Sequence, residues 1–367
     1  MPEDTKLRIL ITGGLGCVGA NYAMHCLKRG DDVVVLDNQA RGDSSQANED
    51  WLFDYMYSQG IGDWLRSSRG PLRLVLGDVA LPEVVQEAIK VFGGVDHVVH
   101  AAAQSSVNLS MAFPEADFAS NVVGTFTLLE ELRKSAPNAK VLYLASNKVY
   151  DVTEWPVELC GSRYRWVGNR QGPSEQFPFY TDAKEPYGAS KIAGFYYSRC
   201  YAAMYKMPIL VVVPSGMYGP QQYGRSVQGW LGWFVIASEL KLPLTICGDG
   251  FQVRDMLHVQ DVCSAFDRLF QVASVYPGEV FNLGGGVRNS ISLVEALQCI
   301  EKVSGVTPEV IYEEWRPQDN KVYISNIEKM IALQWHPTVS VEDGIKEMCA
   351  WARSERDALQ KLYVSNN

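Results

Sequence analysis

The sequence lacks the spacing patterns of a metal or disulfide protein. Its eight cysteines (17, 26, 160, 200, 247, 263, 299 and 349) contain no CxxC pair, and its five histidines contain no HExxH step. The thiols therefore read as reduced and mostly buried in a cytoplasmic protein, with neither a disulfide framework nor a metal site. Long apolar runs are missing too: no stretch of about 18 uninterrupted apolar residues exists that would cross a membrane. The opening MPEDTKLRILITGG is acidic and meets a glycine turn after a few apolar residues, unlike a signal peptide. Basic charge is in deficit, with 33 Lys and Arg against 42 Asp and Glu and a net charge of −9. That argues against a nucleic-acid binder built on a basic face. Repeats, low-complexity segments and flexible linkers are absent as well. What remains is an ordinary globular composition, 47% apolar and 20% charged, over 367 residues. A chain of that length forms one large domain or two closely joined ones.

The first half alternates short apolar runs with helix-length segments. Leu7–Thr12, Val33–Asp37, Leu72–Gly77, His97–Ala101, Lys140–Ala145 and Ile209–Pro214 are continuous aliphatic runs, the pattern of parallel strands covered on both faces. Helices are predicted over Gly19–Arg29, Leu81–Phe92, Asn121–Lys134 and Tyr187–Met204. The expected fold is α/β, a Rossmann-type doubly wound parallel sheet with a smaller C-terminal substrate-binding lobe. The expected division is a dinucleotide-binding domain at 1–190, recruiting 205–216 as a strand, and a lobe at 217–367. Two stretches break the rhythm. Residues 39–70 hold one or two extra amphipathic helices, and residues 151–186 show no clean period, as in a segment that covers a site or an interface.

Thr12-Gly13-Gly14-Leu15-Gly16-Cys17-Val18-Gly19 falls where the first strand ends and the first helix begins. Glycines at 13, 16 and 19 allow a tight turn, close backbone approach to a diphosphate and helix–strand packing, and the helix N-terminus offers free N–H groups to the anion. Asp37 ends the second strand, where a carboxylate accepts both ribose hydroxyls of NAD and repels a 2′-phosphate. Asn38 comes next. Arg41 is placed to tolerate NADP, to stack on adenine or to be solvated.

This GxxGxxG spacing resembles the short-chain dehydrogenase/reductase superfamily, and the length resembles its extended, nucleotide-sugar branch. The resemblance implies that Gly13, Gly16, Cys17 and Val18 meet the diphosphate, that Asp78 and Val79 contact adenine, and that Ala101 and Ala102 pass beneath the cofactor. It also assigns Pro214 to the cofactor site, with Asn121 either capping a helix or taking a direct part. The Tyr187-Gly188-Ala189-Ser190-Lys191 string is the superfamily's YxxxK element. Residues i and i+4 share a helix face, so phenol and ammonium can meet one nicotinamide ribose. A free phenol titrates at about 10; a neighbouring Lys⁺ and an oxidised nicotinamide both favour the phenolate, which makes Tyr187 a usable base. Ser146, at the end of the fifth strand, would hydrogen-bond the substrate oxygen beside it.

The segment after Ser146 narrows the reaction. Sugar 4,6-dehydratases of the superfamily carry an Asp-Glu pair there; here the residues are Asn147 and Lys148, and an amide cannot shuttle a proton. The Ser-Asn-Lys-Val-Tyr string, the long insertion with Arg163-Tyr164, Gln228-Gly229-Trp230 and Gln252-Val253-Arg254-Asp255 with His258 together resemble CDP-tyvelose (CDP-paratose) 2-epimerases over nearly the whole chain. Asp151, in place of a glycine, and the longer 39–70 segment depart from that pattern. The resemblance implies an isomerase that oxidises a nucleotide-diphosphate sugar, at C2, passes hydride to retained NAD and receives it back on the other face. A nucleotide-sugar 4-epimerase or a ketosugar reductase is the alternative. Asn147, Lys148, Arg163, Tyr164, Gln228, Trp230, Arg254 and Arg316 are the expected substrate residues, the last two as a bidentate diphosphate clamp. Tyr223, Trp233 and Phe234 line the pocket or belong to core or interface. A homo-oligomer, dimer or tetramer, is the expected assembly.

Overall fold

The computed structural model describes residues 6–59, 70–168, 170–179, 185–316 and 319–364. Five apolar runs form the parallel strands β1 (Arg8–Thr12), β2 (Asp32–Asp37), β3 (Leu72–Leu76), β4 (His97–His100) and β5 (Lys140–Leu144). With Ile209–Pro214 and Val280–Leu283 they make a seven-stranded sheet, ordered Val280–Leu283, Ile209–Pro214, β5, β4, β1, β2, β3. β1 pairs in parallel with both β2 and β4, so the strand order reverses at β1, the position at which doubly wound sheets open a crevice for a ligand. The strands are apolar on both faces because helices cover both. Leu10, Val34, Val98, Val141 and Ile209 pack with Leu128 and Leu132 of the helix Gly124–Ser135, and all are essentially inaccessible. At roughly 1.5–3 kcal/mol per buried aliphatic side chain, this layer is the main source of cohesion in the sheet.

The chain divides into two interleaved units. The first takes Met1–Ser146, Glu185–Val212 and Cys263–Val280; the second takes Asn147–Lys184, Val213–Val262 and Phe281–Asn367. This differs from the boundaries 1–190 and 217–367. Residues 147–184 leave the first unit, and 263–280 return to it, because the helix Val259–Val272 docks on the first helix through Asp267. Asp267 accepts hydrogen bonds from Tyr22 Oη (3.0 Å) and Arg29 Nη1 (2.8 Å) and lies 2.7 Å from His25 Nε2.

In the second unit, Val253–His258 pairs with Gly216–Tyr218, Ser290–Ser292 and Val322–Tyr323. The insertion is not structureless: Val157–Cys160 and Arg163–Trp166 form an antiparallel hairpin, turned by Gly161 at φ 64°. Of the 39–70 stretch, Asp43–Ser58 is a helix, and 60–69 lie outside the described residues. Among the described residues no helix is long and apolar enough to cross a membrane.

The helix Pro186–Tyr205 lies on β5 at Gly194. A Cβ there would come 2.2 Å from Tyr143 Oη, which itself donates to the Lys191 carbonyl at 3.2 Å. Gly194→Ala is therefore expected to push the helix off the strand and cost about 1–3 kcal/mol, as overpacking does. A denaturant titration that leaves the midpoint unchanged would contradict this packing.

Candidate active site

The cofactor residues of the first unit meet where the sheet order reverses. Gly13, at φ 66°, crosses so close to β4's exit that a Cβ would stand 2.6 Å from the Ala102 amide nitrogen. Ala101 and Ala102 are tied to Thr12: the Ala101 N–H donates to its carbonyl (3.0 Å), and the Ala102 N–H to its hydroxyl (3.3 Å). A Cβ on Gly19 would meet the Gly13 carbonyl oxygen at 2.4 Å, so the helix starts pressed against the loop. That helix, Cys17–Arg29, has Gly16 as its cap, no side-chain cap and no acidic residue in its first turn. Its first N–H groups and the positive end of its dipole are thus left for an anion. Burial pushes the Cys17 thiol up to about 12, so it fills space as a neutral group.

Asp37 is buried and points back at the loop. Its Oδ2 accepts the Leu15 N–H at 3.0 Å and its Oδ1 accepts the Gln39 N–H at 2.7 Å. Burial raises its pKa, while those two N–H groups and Arg41 pull it down. Each oxygen keeps a lone pair for a further donor. These residues fit a dinucleotide: a bare helix N-terminus for the diphosphate, an oriented carboxylate for the ribose, and glycines where any side chain would fill the cradle. Asn38 Nδ2 reaches Asp78 Oδ2 at 3.3 Å, and Asp78 Oδ1 accepts the Ala80 N–H at 2.9 Å. The side chain of Val79 goes into the core against Gly124. Pro214 ends its strand in the second unit.

Asn121 neither caps a helix nor offers a free side chain. It sits in a π-helical turn, Ala119–Val123, ahead of the helix Gly124–Ser135. Its Oδ1 accepts the Gln104 N–H (2.9 Å), while Nδ2 donates to the Gln104 carbonyl (3.0 Å), Asp117 Oδ1 (3.1 Å) and Ser190 Oγ (2.9 Å). It is a staple between the strand exit and the helix of Tyr187. His100, missed in the sequence, is a second staple. It bridges Thr12 Oγ1 (2.7 Å) and Thr125 Oγ1 (2.9 Å), and burial with Lys191 lowers it to about 3, so it stays neutral. The HAAA string at the strand end was its only signal.

Ser146, Tyr187 and Lys191 come together in the first unit. Glu185 and Pro186 start the helix; Glu185 Oε1 accepts the Gly188 N–H at 2.9 Å. The Ser146 hydroxyl bonds the Tyr187 phenol. Lys191 is buried, and its Nζ donates to the Leu144 carbonyl at 2.7 Å. Burial lowers Lys191 to about 8, with Asp117 holding it up. The protein alone does not lower the phenol. Burial pushes Tyr187 up to about 12, Ser146 opposes that, and Glu185 and Asp117 add to it. In this state the phenol is protonated, because desolvation outweighs the nearby groups.

The second unit gives the expected substrate residues different surroundings. Arg163 is spent on structure: Nε donates to Glu295 Oε1 at 2.8 Å, Nη2 also pairs with Glu295, and Nη1 and Nη2 reach Ser290 Oγ and the Ser290 carbonyl at 3.3 Å. That pins the hairpin to the capped start of the helix Leu293–Ser304. Tyr164 donates to Asp249 Oδ2 at 2.6 Å, and Lys321 Nζ stands 4.7 Å over its ring. Arg254 keeps donors in reserve beyond its bonds to Asp319 Oδ1 (2.6 Å) and the Val253 carbonyl (2.8 Å). Arg316 is exposed and touches Cys247 Sγ and the Ser226 carbonyl, each at 3.2 Å. Asn147 and Lys148 lie half-buried in a 3₁₀ turn directly after Ser146. Gln228 closes a small loop with Arg225, and Trp230, half-buried, opens a helix against Phe234. Tyr223 and Phe234 are buried in the core, and Trp233 packs on Tyr363. Asp151 is turned into a local loop, accepting from the Thr153 N–H (3.1 Å) and hydroxyl (2.6 Å).

Asp255 is a further residue the sequence did not mark as special. It is fully buried and accepts N–H bonds from Gly286 and Ser325, both at 3.1 Å, tying the Gly284–Gly286 turn to the Arg254 strand. Burial pushes it up to about 6.

The model of the NAD dependent epimerase/dehydratase family matches residues 9–284. The chain belongs to that family. It is 33% identical over 355 residues to CDP-paratose 2-epimerase of Salmonella typhi, covering 95% of this chain and 100% of that one. It is 28% identical over 362 residues to a dTDP-glucose 4,6-dehydratase of Xanthomonas campestris, covering 93% and 92%. Among solved structures, UDP-glucose 4-epimerase of Thermus thermophilus in complex with NAD is similar at a TM-score of 0.76 and 27% identity, over 95% of this chain and 99% of that one. The Rossmann-type fold and the enzyme class read from the sequence accord with these relatives: an NAD-dependent isomerase of the nucleotide-sugar epimerase kind, with NAD as cofactor.

Tyr187→Phe removes the phenol hydrogen-bonded to Ser146. Turnover is expected to fall by about 10² to 10⁴, the usual worth of a proton-transfer group, with sugar-nucleotide affinity changed little. Steady-state kinetics showing most of the activity retained would mean that another residue is the base.

Proposed function

We propose that this enzyme inverts C2 of a nucleotide-diphosphate sugar, with a CDP-linked 3,6-dideoxyhexose as its substrate. The reading is carried by the pair of side chains directly after Ser146. The hydroxyl, phenol and ammonium needed for alcohol oxidation stand together, yet that pair is Asn147 and Lys148. Expelling water from a sugar needs an acid and a base beside the ketone. An amide supplies neither, so the ketosugar formed here has reduction as its way out. The likeness to CDP-paratose 2-epimerase along the chain supports the same choice of carbon.

When bound, NAD supplies a two-electron oxidation of the sugar alcohol and its reversal. The chain's own groups do the rest. Gly13, Gly16 and the bare N-terminus of the first helix hold the diphosphate of the cofactor, and Asp37 its ribose. Ser146 donates to the reacting sugar oxygen and fixes it beside Tyr187. Tyr187, which the chain alone leaves protonated, would give up that proton when the positive charge of bound NAD⁺ favours the phenolate; as the phenolate it takes the hydroxyl proton while the carbonyl forms and returns it as the alcohol re-forms. Lys191, charged below about 8, keeps positive potential along the same helix face. Arg254 grips the substrate diphosphate with its unused N–H groups, and exposed Arg316 is its partner in that clamp. The first unit thus serves NAD and the second the sugar nucleotide, in a cytoplasmic homo-oligomer, dimer or tetramer. Epimerisation at C4 is the second reading, favoured by the likeness to the Thermus 4-epimerase.

Supplied with a CDP-linked 3,6-dideoxyhexose deuterated at C2, the enzyme is expected to yield the C2 epimer with deuterium retained, and to incorporate none from D₂O in the converse experiment. An NMR product inverted at C4, or solvent deuterium at C2, would overturn the proposal.

A further inference from the structure

We propose that the helix Asp43–Ser58 is a latch on the adenosine-ribose end of the NAD site, with Asn48 as its positioning residue. The proposal rests on the isomerase reading, which requires the reduced cofactor to stay bound until the sugar is reduced. The helix lies in the 39–70 stretch, and no step of the reaction uses it.

The helix buries a stripe at four-residue spacing: Ser44, Asn48, Leu52 and Met56. Its C-terminal part is ordinary core, with Leu52 and Phe53 facing Leu15 and Val35. At Asn48 the stripe turns polar, although the residue is only 2% exposed. Burying an amide is costly unless it is bonded. Asn48 Nδ2 donates to the Leu15 carbonyl at 2.9 Å, inside the glycine loop. The Leu15 N–H donates in turn to Asp37 Oδ2.

A second arm reaches the other carboxylate oxygen. The Gln39 N–H that holds Asp37 Oδ1 belongs to a residue at φ 52°, in the left-handed region that a side chain disfavours. Two contacts keep it there: the Gly42 N–H on its carbonyl at 2.8 Å, and its own Nε2 on Glu49 Oε2 at 2.6 Å. Both oxygens meant for the ribose hydroxyls are therefore aimed by N–H groups whose positions residues 48 and 49 of the helix set. Loosening either arm acts on how long the adenosine half stays bound.

The test is NADH release from the purified, NADH-loaded enzyme, without sugar, chased with excess NAD⁺ and followed by fluorescence. Asn48→Asp keeps the shape but turns an acceptor toward the Leu15 carbonyl, and Gln39→Glu sets two carboxylates against each other. Each is expected to speed release about ten- to hundredfold. Gln39→Glu combined with Glu49→Gln restores a donor–acceptor pair and should return the rate close to wild type. Release at the wild-type rate from both single variants, with native unfolding midpoints, would overturn the latch. If Asn48→Asp does not fold, the Gln39/Glu49 pair and its reversal decide alone, and no rescue in the double variant counts against the proposal. A wild type that sheds NADH within one turnover, with variants faster still, would sustain the latch and sink the isomerase reading.

Discussion

The chemistry of the first unit depends on how closely the helix Pro186–Tyr205 can lie on β5. Lys191 reaches the Leu144 carbonyl at 2.7 Å only because Gly194, one turn further on, carries no side chain against Tyr143. That contact fixes the helix in rotation and depth. It sets Tyr187 against Ser146 at the end of the same strand, and it puts Ser190 within reach of Asn121. The buried ammonium is thereby bonded, as a charge held out of water must be.

Around this contact the polar staples share one logic. Asn121, His100 and Asp37 are buried groups bonded to backbone, to hydroxyls and, for Asn121, to the Asp117 carboxylate, and each ties a loop at a strand end to a neighbouring helix or strand. In the second unit Asp255 and the Arg163–Glu295 pair do the same for the glycine turn and the hairpin. Such groups lose more when one partner is removed than they gain from being made, so they define positions more than they add stability. The reactive phenol is the exception. The protein leaves it high, at about 12, with a hydroxyl as its one favourable neighbour.

Much of this was legible in the chain. The continuous aliphatic runs gave β1 to β5 and Ile209–Pro214 nearly to the residue, because strands buried on both faces need no alternation to be seen. The glycine loop and the YxxxK string were legible because each residue type is required by geometry at that spot. The rest depended on partners far away in sequence. Arg163 reads as a substrate residue, and only the structure shows it bonded to Glu295, 132 residues on. Asn121 looks like a cap because a π-turn has no local signature. The hairpin at 157–166 hid behind exposed strands without an apolar face, and the return of 263–280 to the first unit follows from one docked helix. Asn48 reads as a surface residue of an acidic helix until the Leu15 carbonyl is seen beneath it.

Retained NAD, used twice in each cycle, is the central claim. The most direct measurement is turnover in a buffer with no nicotinamide cofactor, using enzyme stripped of loosely held nucleotide by gel filtration. The account predicts many product molecules per chain, with no net change in absorbance at 340 nm once the reaction reaches equilibrium. Product that stops at one per chain, or forms only in proportion to added NAD(P)H, would contradict it.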